Sequence, residues 1–302
     1  MNSLNHLLNQ EKKPNRIVIL GANGFIGKTL YCLLKQENLE VLPLGRQELD
    51  LTNESSSDKL VSLLKETDSV VFLSTITPDK GNNNETFVQN MLMAKNVCYA
   101  LEKVKVSHLI YLSSDTVYPL NHGIISETSP AHPENLFGAM HLSREYMLKG
   151  LTSVPLAILR STLVYGFEDT HNSYGPNRLR RMAFNEGKIS LFGQGEENRD
   201  HIFIDDLIKI IRHVLFHKST GVLNLVTGQS ISYMELAKKI ASFFDSPIEI
   251  SCSERKNPIT HRHFDSSSIF KAFPTFKFTS LDEGLKSTYE KELNSRCTLS
   301  CP

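Results

Sequence analysis

The stretch HPENLFGAMHLSRE, residues 132–145, sets His141 four residues after Phe137. On a helix that spacing puts both rings on one face. An imidazole changes charge near neutral pH, so His141 is a candidate acid or base. Phe137 carries no ionisable group, and proton transfer on this face has to proceed without it. Ser114 ends the apolar run VSHLIYLSS and carries a hydroxyl.

A second set of residues suits phosphate. Gly21, Gly24 and Gly27 in GANGFIG follow the strand-like RIVIL and open a helical segment. Glycine permits a tight turn and lets N–H groups at a helix start approach a pyrophosphate with no side chain between. Asn23, Phe25 and Ile26 belong to the same turn and are expected at the cofactor with it. At the end of the next strand an acid would hold the ribose of NAD, and LGRQELDL puts Gly45 and Arg46 there. A guanidinium suits the extra phosphate of NADP, but it also stacks on adenine or sits in water. Arg46 therefore tilts the expectation toward NADP and leaves NAD open.

These residues need a scaffold. RIVIL (16–20), EVLPLGR (40–46), SVVFLST (69–75) and VSHLIYLSS (106–114) read as strands alternating with helical segments, among them ETFVQNMLMAKNVCYALEKV and residues 133–150. PLAILRSTLVYG (155–166) reads as one further strand, and GVLNLVTG (221–228) as a strand returning to the same sheet. The alternation predicts an α/β fold, a Rossmann-type doubly wound parallel sheet with a smaller, discontinuous substrate-binding domain. The expected division is a polar N-terminal extension at 1–15, a dinucleotide-binding domain over 16–165 and about 201–230, a substrate domain over about 166–200 and 231–285, and a polar tail at 286–302. Ser232 and Glu235 mark the capped start of the helix in SYMELAKKIASFF. DTHNSYGPNRLRR (169–181) is rich in turn formers, which places His171, Asn177 and Arg178 on a loop able to close over an anionic substrate.

The 302 residues include 33 basic and 33 acidic side chains and no tryptophan. That balance gives no long-range pull toward nucleic acid or a membrane surface, so an anionic ligand must be held locally. No run approaches the roughly 18 apolar residues of a membrane span. Five scattered cysteines, at 32, 98, 252, 297 and 301, and a polar N-terminus lead to the expectation of a reducing cytoplasm and no metal, the tail pair Cys297 and Cys301 lacking a second ligand pair.

In combination, GANGFIG, Asp50 with Leu51, Asn90, SSDTVYP, the 137–141 pair, LRSTLVYG and LFGQGEENRDHIFIDDL resemble the extended short-chain dehydrogenase/reductase family. The likeness is to its NAD(P)-dependent nucleotide-sugar epimerase and dehydratase branch and runs over about residues 16–285. It implies that Asp50 and Leu51 border the adenine, that Ser74 and Thr75 line the cofactor, and that Asn90 supports the central helix and an active-site water. It also implies a nucleotide-diphosphate sugar as substrate, met by Asn177, Arg178 and Arg199; the other reading of Arg199 is an ion pair with Asp200, Asp205 or Asp206. Relatives dimerise through two long helices, here near 84–103 and 135–149, so a homodimer is expected.

In that family a serine or threonine hydroxyl holds the sugar oxygen, a tyrosinate takes the proton as hydride moves, and a lysine lowers the tyrosine pKa and grips the ribose. Ser114 matches the hydroxyl, while Phe137 stands at the tyrosine and His141 at the lysine. A phenol titrates near pH ~10 and needs a neighbouring positive charge to act at neutrality. The tyrosine route is closed to this chain as written. Three explanations stay open: a phenylalanine introduced to halt turnover, another base with His141 leading, or a chain that binds a sugar nucleotide without converting it. An imidazolium at 141 would lose its charge as pH rises, so an enzyme with the tyrosine restored is expected to fade on the alkaline side.

Dehydratases of the branch follow the hydroxyl with an acid pair. Here Asp115 is followed by Thr116, which disfavours 4,6-dehydration and leaves the two to touch the sugar or, for Asp115, to hold His141. The leading expectation is a nucleotide-sugar epimerase-like oxidoreductase that oxidises C4 transiently, is impaired by Phe137, and serves polysaccharide-precursor synthesis. A ketosugar reductase consuming NADPH is the alternative, and a catalytically silent binder the third.

Overall fold

The computed structural model describes residues 3–120, 123–169, 171–172 and 174–299; Cys301 of the tail pair, and Thr170 and Ser173 of the turn-rich segment, lie outside them. Strand and helix alternate through β1 (Asn5–His6), β2 (Arg16–Leu20), α1 (Phe25–Gln36), β3 (Val41–Leu44), α2 (Ser56–Leu63), β4 (Asp68–Phe72), α3 (Asn84–Lys103) and β5 (His108–Ser114). Next come β6 (Ile124–Ile125), α4 (Leu136–Lys149), β7 (Leu156–Ser161) and β8 (Leu163–Tyr165). They are followed by α5 (Pro176–Glu186), β9 (Lys188–Phe192), β10 (Asn198–Phe203), α6 (Ile204–Phe216) and β11 (Ser219–Leu225). The last elements are β12 (Ser230–Ser232), α7 (Tyr233–Ala241), β13 (Glu249–Ser253), β14 (His263–Phe264), α8 (Ser267–Ala272) and α9 (Leu281–Leu299).

Seven strands form a Rossmann-type sheet in the order β1-β11-β7-β5-β4-β2-β3, parallel except at β1. Its central strands are buried on both sides, which is why they read as continuous apolar runs instead of alternating ones. One apolar cluster packs α1 and α6 on one face, and another packs α2, α3 and α4 on the other. Pro43 is tolerated because β3 is an edge strand, bonded to β2 alone. Since β2 lies between β3 and β4, the direction of crossover reverses there. In open α/β sheets a ligand crevice forms past the carboxyl ends of the strands at such a reversal.

Three segments differ from the sequence expectation. Residues 155–166 form two strands, because at Thr162 the chain leaves the main sheet and β8 pairs with β10 instead. Thr162 fixes that switch by donating its N–H to the Leu225 carbonyl and its hydroxyl to the Asp200 carbonyl. The N-terminal extension adds β1 antiparallel to β11, covering what would be an open sheet edge, and His6 bonds Ser219 and the Ala272 carbonyl. The polar tail is the helix α9, docked on α5 where buried Arg180 donates to Glu292 at 2.7 Å. An ion pair in place of a wide apolar stripe hides such a helix from periodicity.

The turn-rich segment resolves into a loop and then α5, which begins at Pro176, a residue pre-set for a first helical position. α5 packs on β9 and α7, and β13 pairs parallel with β9. Ser232 and Glu235 form a reciprocal cap at the start of α7. Among the described residues no helix is long and apolar enough to cross a membrane.

Candidate active site

A cavity of ≈ 390 Å³ opens at the crossover reversal, walled by the segments after β2, β4, β5 and β8 and by the start of α4. Gly21, Gly24, Phe25, Ile26 and Gly27 form one part of that wall. Two of the glycines are demanded by the protein itself. Gly21 has φ 93°, and a Cβ on it would lie 2.8 Å from the Ser74 nitrogen, while a Cβ on Gly27 would collide with the Gly21 carbonyl. Gly24 differs: its φ is −77°, and a Cβ there would meet only the Gly21 carbonyl at 3.4 Å. Its bareness is what a ligand approaching the backbone would use. Gly24 caps α1, whose first turn holds no acid, so the helix start favours an anion. The donors present therefore fit a dinucleotide pyrophosphate.

Around the expected adenine end, Asn23 is exposed with its amide over Gly45, away from the cavity wall. Arg46 is exposed and donates to Asp50 at 3.1 Å. Burial would raise the Asp50 carboxyl, yet the bonds from Thr52 and Arg46 hold it below its ordinary value. Leu51 is buried in the core beneath. Thr75 borders the cavity, whereas Ser74 turns its carbonyl to Arg144. Asn90 is buried, and its amide both accepts from and donates to the backbone of Ile76 at 2.9 and 3.0 Å, so it pins the loop after β4 and does not border the cavity.

Ser114, Asp115, Thr116, Phe137 and His141 come together on the same wall. Ser114 Oγ accepts from the Thr116 N–H at 3.1 Å and from its hydroxyl at 2.9 Å. The Phe137 ring stands edge-on to His141. His141 Nδ1 lies 2.7 Å from the Tyr111 hydroxyl. Burial above all, and then the Arg144 guanidinium, push the imidazole well below its ordinary titration. That direction disfavours the imidazolium expected at 141, whose charge would fade as pH rises. Asp115 does not hold His141 either. Its carboxyl, pushed up by burial against the pull of Arg262 and Arg199, lies 3.2 Å from Arg262 Nη1, and its carbonyl accepts from the same nitrogen at 2.6 Å.

Asn177 borders the cavity, accepting from the Gly166 N–H at 3.1 Å and donating to Asp169 at 2.6 Å. His171 bonds Asp79 at 2.7 Å, joining two loops of the wall. Arg178 lies over the Tyr174 ring, off the wall. Arg199 donates to Thr260 and to the Asn198 carbonyl. Two of the three carboxylates considered for it are engaged elsewhere, Asp200 by Thr227 and Gly228, and Asp206 by Thr279.

Three residues near the site were not anticipated, although periodicity pointed at them. Arg144 follows His141 by three on α4, and its five N–H groups reach the Asn90 carbonyl and side chain, the Ser74 carbonyl and Thr75. Tyr111 and Ser113 alternate along β5 and both turn to α4, the first to His141 and the second to Glu145. Arg262 had no local signal, its partner Asp115 lying 147 positions away in sequence.

Comparison with known proteins agrees with this fold. The model of the NAD dependent epimerase/dehydratase family matches residues 17–225. A GDP-L-fucose synthase of Sinorhizobium fredii is 27% identical over 304 residues, 91% of this chain and 94% of that protein. An N-acetyl-alpha-D-glucosaminyl-diphospho-ditrans,octacis-undecaprenol 4-epimerase of Escherichia coli is 26% identical over 251 residues, 78% of this chain and 74% of that protein. A solved GDP-L-fucose synthetase from Naegleria fowleri, bound to NADP, matches with a TM-score of 0.81 at 18% identity, covering 99% of this chain and 98% of that one.

Proposed function

The chain belongs to the NAD dependent epimerase/dehydratase family, and from that membership we propose a nucleotide-diphosphate-sugar oxidoreductase whose epimerase-type step at sugar C4 is slowed by Phe137. The observation that carries this reading is one cavity with Gly21, Gly24 and Gly27 on its wall together with Ser114, Thr116, Phe137 and His141. Bound NAD or NADP supplies the hydride acceptor and donor. Gly24 and the start of α1 would hold its pyrophosphate, Thr75 and His141 its nicotinamide half, and Asp50 with Arg46 its adenosine half.

Ser114 orients the sugar oxygen, and Thr116 donates into Ser114 and completes that polar corner. Phe137 closes the wall without moving a proton, and the neutral His141 puts no positive charge beside it. Asn177, on the wall, and Arg178 and Arg199, behind it, favour the diphosphate by charge and by planar donors. Both curated relatives are named for a sugar carried on a diphosphate, which supports that substrate class here. Arg46, exposed at the adenosine end, favours NADP and a ketosugar reductase as the second reading. We also place the protein in the cytoplasm as a homodimer, acting on precursors of a polysaccharide.

The test is to purify the protein and its Phe137→Tyr variant, identify released cofactor by mass, and screen nucleotide sugars for C4 epimers and for loss of reduced cofactor. Epimers from the variant without net cofactor loss support the first reading. Net loss supports the reductase. Tight sugar-nucleotide binding with neither outcome would mean a silent binder.

A further inference from the structure

Tyr111 precedes Ser114 by three residues on β5, is 1% exposed, and puts its hydroxyl 2.7 Å from His141 Nδ1. A buried hydroxyl proton without an acceptor is costly, so the direction of this bond can be assigned. Two charged groups also act on the phenol: the Arg144 guanidinium, which has donors only, and the Glu145 carboxylate, whose oxygens already accept from Ser113, Lys149 and Arg160. Were Nδ1–H to donate to the phenol, the phenolic proton would be left among Phe72 and that guanidinium. The phenol therefore donates to Nδ1, and a neutral ring then carries its proton on Nε2. Burial holds the phenol protonated, and burial with Arg144, the charged group that acts on the ring, holds the imidazole neutral. The ring borders the cavity next to Phe137.

We propose that Tyr111 is a positioning residue that locks His141 in its Nε2-protonated form, making it an uncharged hydrogen-bond donor to a ribose hydroxyl of the bound dinucleotide. The ribose half of this rests on the cofactor reading above; the tautomer half does not. A donor without charge does not depend on an imidazolium to grip the cofactor and offers nothing to ionise a phenol at 137.

Long-range proton–nitrogen NMR on protein with isotope-labelled histidine tests the lock, with His141→Gln identifying the resonance. The expected pattern is neutral and Nε2-protonated, unchanged between about pH 5.5 and about pH 9. Tyr111→Phe keeps the ring and loses the donor, so the pattern is expected to become a mixture of tautomers and the dissociation constant for the dinucleotide to rise about five- to tenfold. An Nδ1-protonated or titrating His141, or a Tyr111→Phe spectrum identical to that of the unsubstituted protein, would overturn the lock. If Tyr111→Phe fails to fold, the spectrum of the unsubstituted protein decides alone by the same criterion. Unchanged affinity in Tyr111→Phe overturns the ribose contact, and a protein that binds no dinucleotide at all overturns the cofactor reading with it, while the tautomer still reports on Tyr111.

Discussion

Phe137 meets His141 edge-on, with ring centroids 4.6 Å apart and planes at 85°. One turn of α4 thus presents the cavity with a hydrocarbon edge and an uncharged imidazole, where a phenol and a cation would drive proton transfer. The consequences are measurable.

Phe137→Tyr is expected to raise hydride transfer by about 100-fold or more, the range for a restored acid–base group. With His141 neutral, the rate should climb steadily toward the phenol's ordinary titration near pH ~10. Steady-state rates across pH check this. A maximum near neutrality with a fall above it would mean that residue 141 is charged.

Arg46→Ala is expected to weaken NADP binding about tenfold while leaving NAD within about twofold, because the guanidinium would meet only the extra phosphate. Its bond to Asp50 is exposed and easily exchanged for a ligand. Calorimetric titration with both dinucleotides separates the cases, and equal effects on the two would remove the support for NADP.

Glu145 is fully buried and takes two bonds from Arg160, at 2.9 and 2.7 Å, and one from Ser113. Burial would raise this carboxyl, yet the Arg160 and Ser113 bonds hold it below its ordinary value. Glu145→Gln leaves Arg160 without its charge partner and is expected to cost about 3–5 kcal/mol of stability. Chemical denaturation measures the loss, and a change under about 1 kcal/mol would show that the pair is dispensable.

Burial lowers His108 to about 4 and His201 to about 3. A ring whose folded titration is depressed stabilises the fold above its unfolded value of 6.5, and that contribution is lost as pH falls through about 4 and then about 3. For His108 the effect is on the order of 3 kcal/mol. Denaturant midpoints between pH ~7 and ~4 should fall more steeply for the unsubstituted protein than for His108→Gln. Parallel curves would contradict it.

Val88 and Tyr99 on α3, and Leu136 and Tyr146 on α4, leave apolar surface exposed on two helices that pack together. A second copy docked on this face would cover it. Light scattering is expected to give a dimer, and Tyr146→Arg a monomer of unchanged secondary structure; a monomeric unsubstituted protein would end the idea.

What the sequence disclosed was set by the range over which each feature acts. The glycine turn and the parallel strands were readable because Gly24 and the runs in β2 and β4 obey local rules of turn geometry and burial. The meeting of Phe137 and His141 followed from helix spacing. The lowered titration of His141 did not, since it depends on burial of the ring and on Arg144 beside it. Arg262 on Asp115, the change of sheet at Thr162 and the docking of α9 through Glu292 all join distant positions by polar contacts, and no hydrophobic period records them.

A crystal structure with NAD(P) and a nucleotide-diphosphate sugar bound together tests the shared cavity most directly. The expected density puts the pyrophosphate over the bare Gly24 and against the N–H groups at the start of α1, the sugar oxygen on Ser114, and the Phe137 ring against the sugar. A dinucleotide lodged elsewhere, or a sugar whose C4 lies out of reach of Ser114 and Phe137, would contradict it.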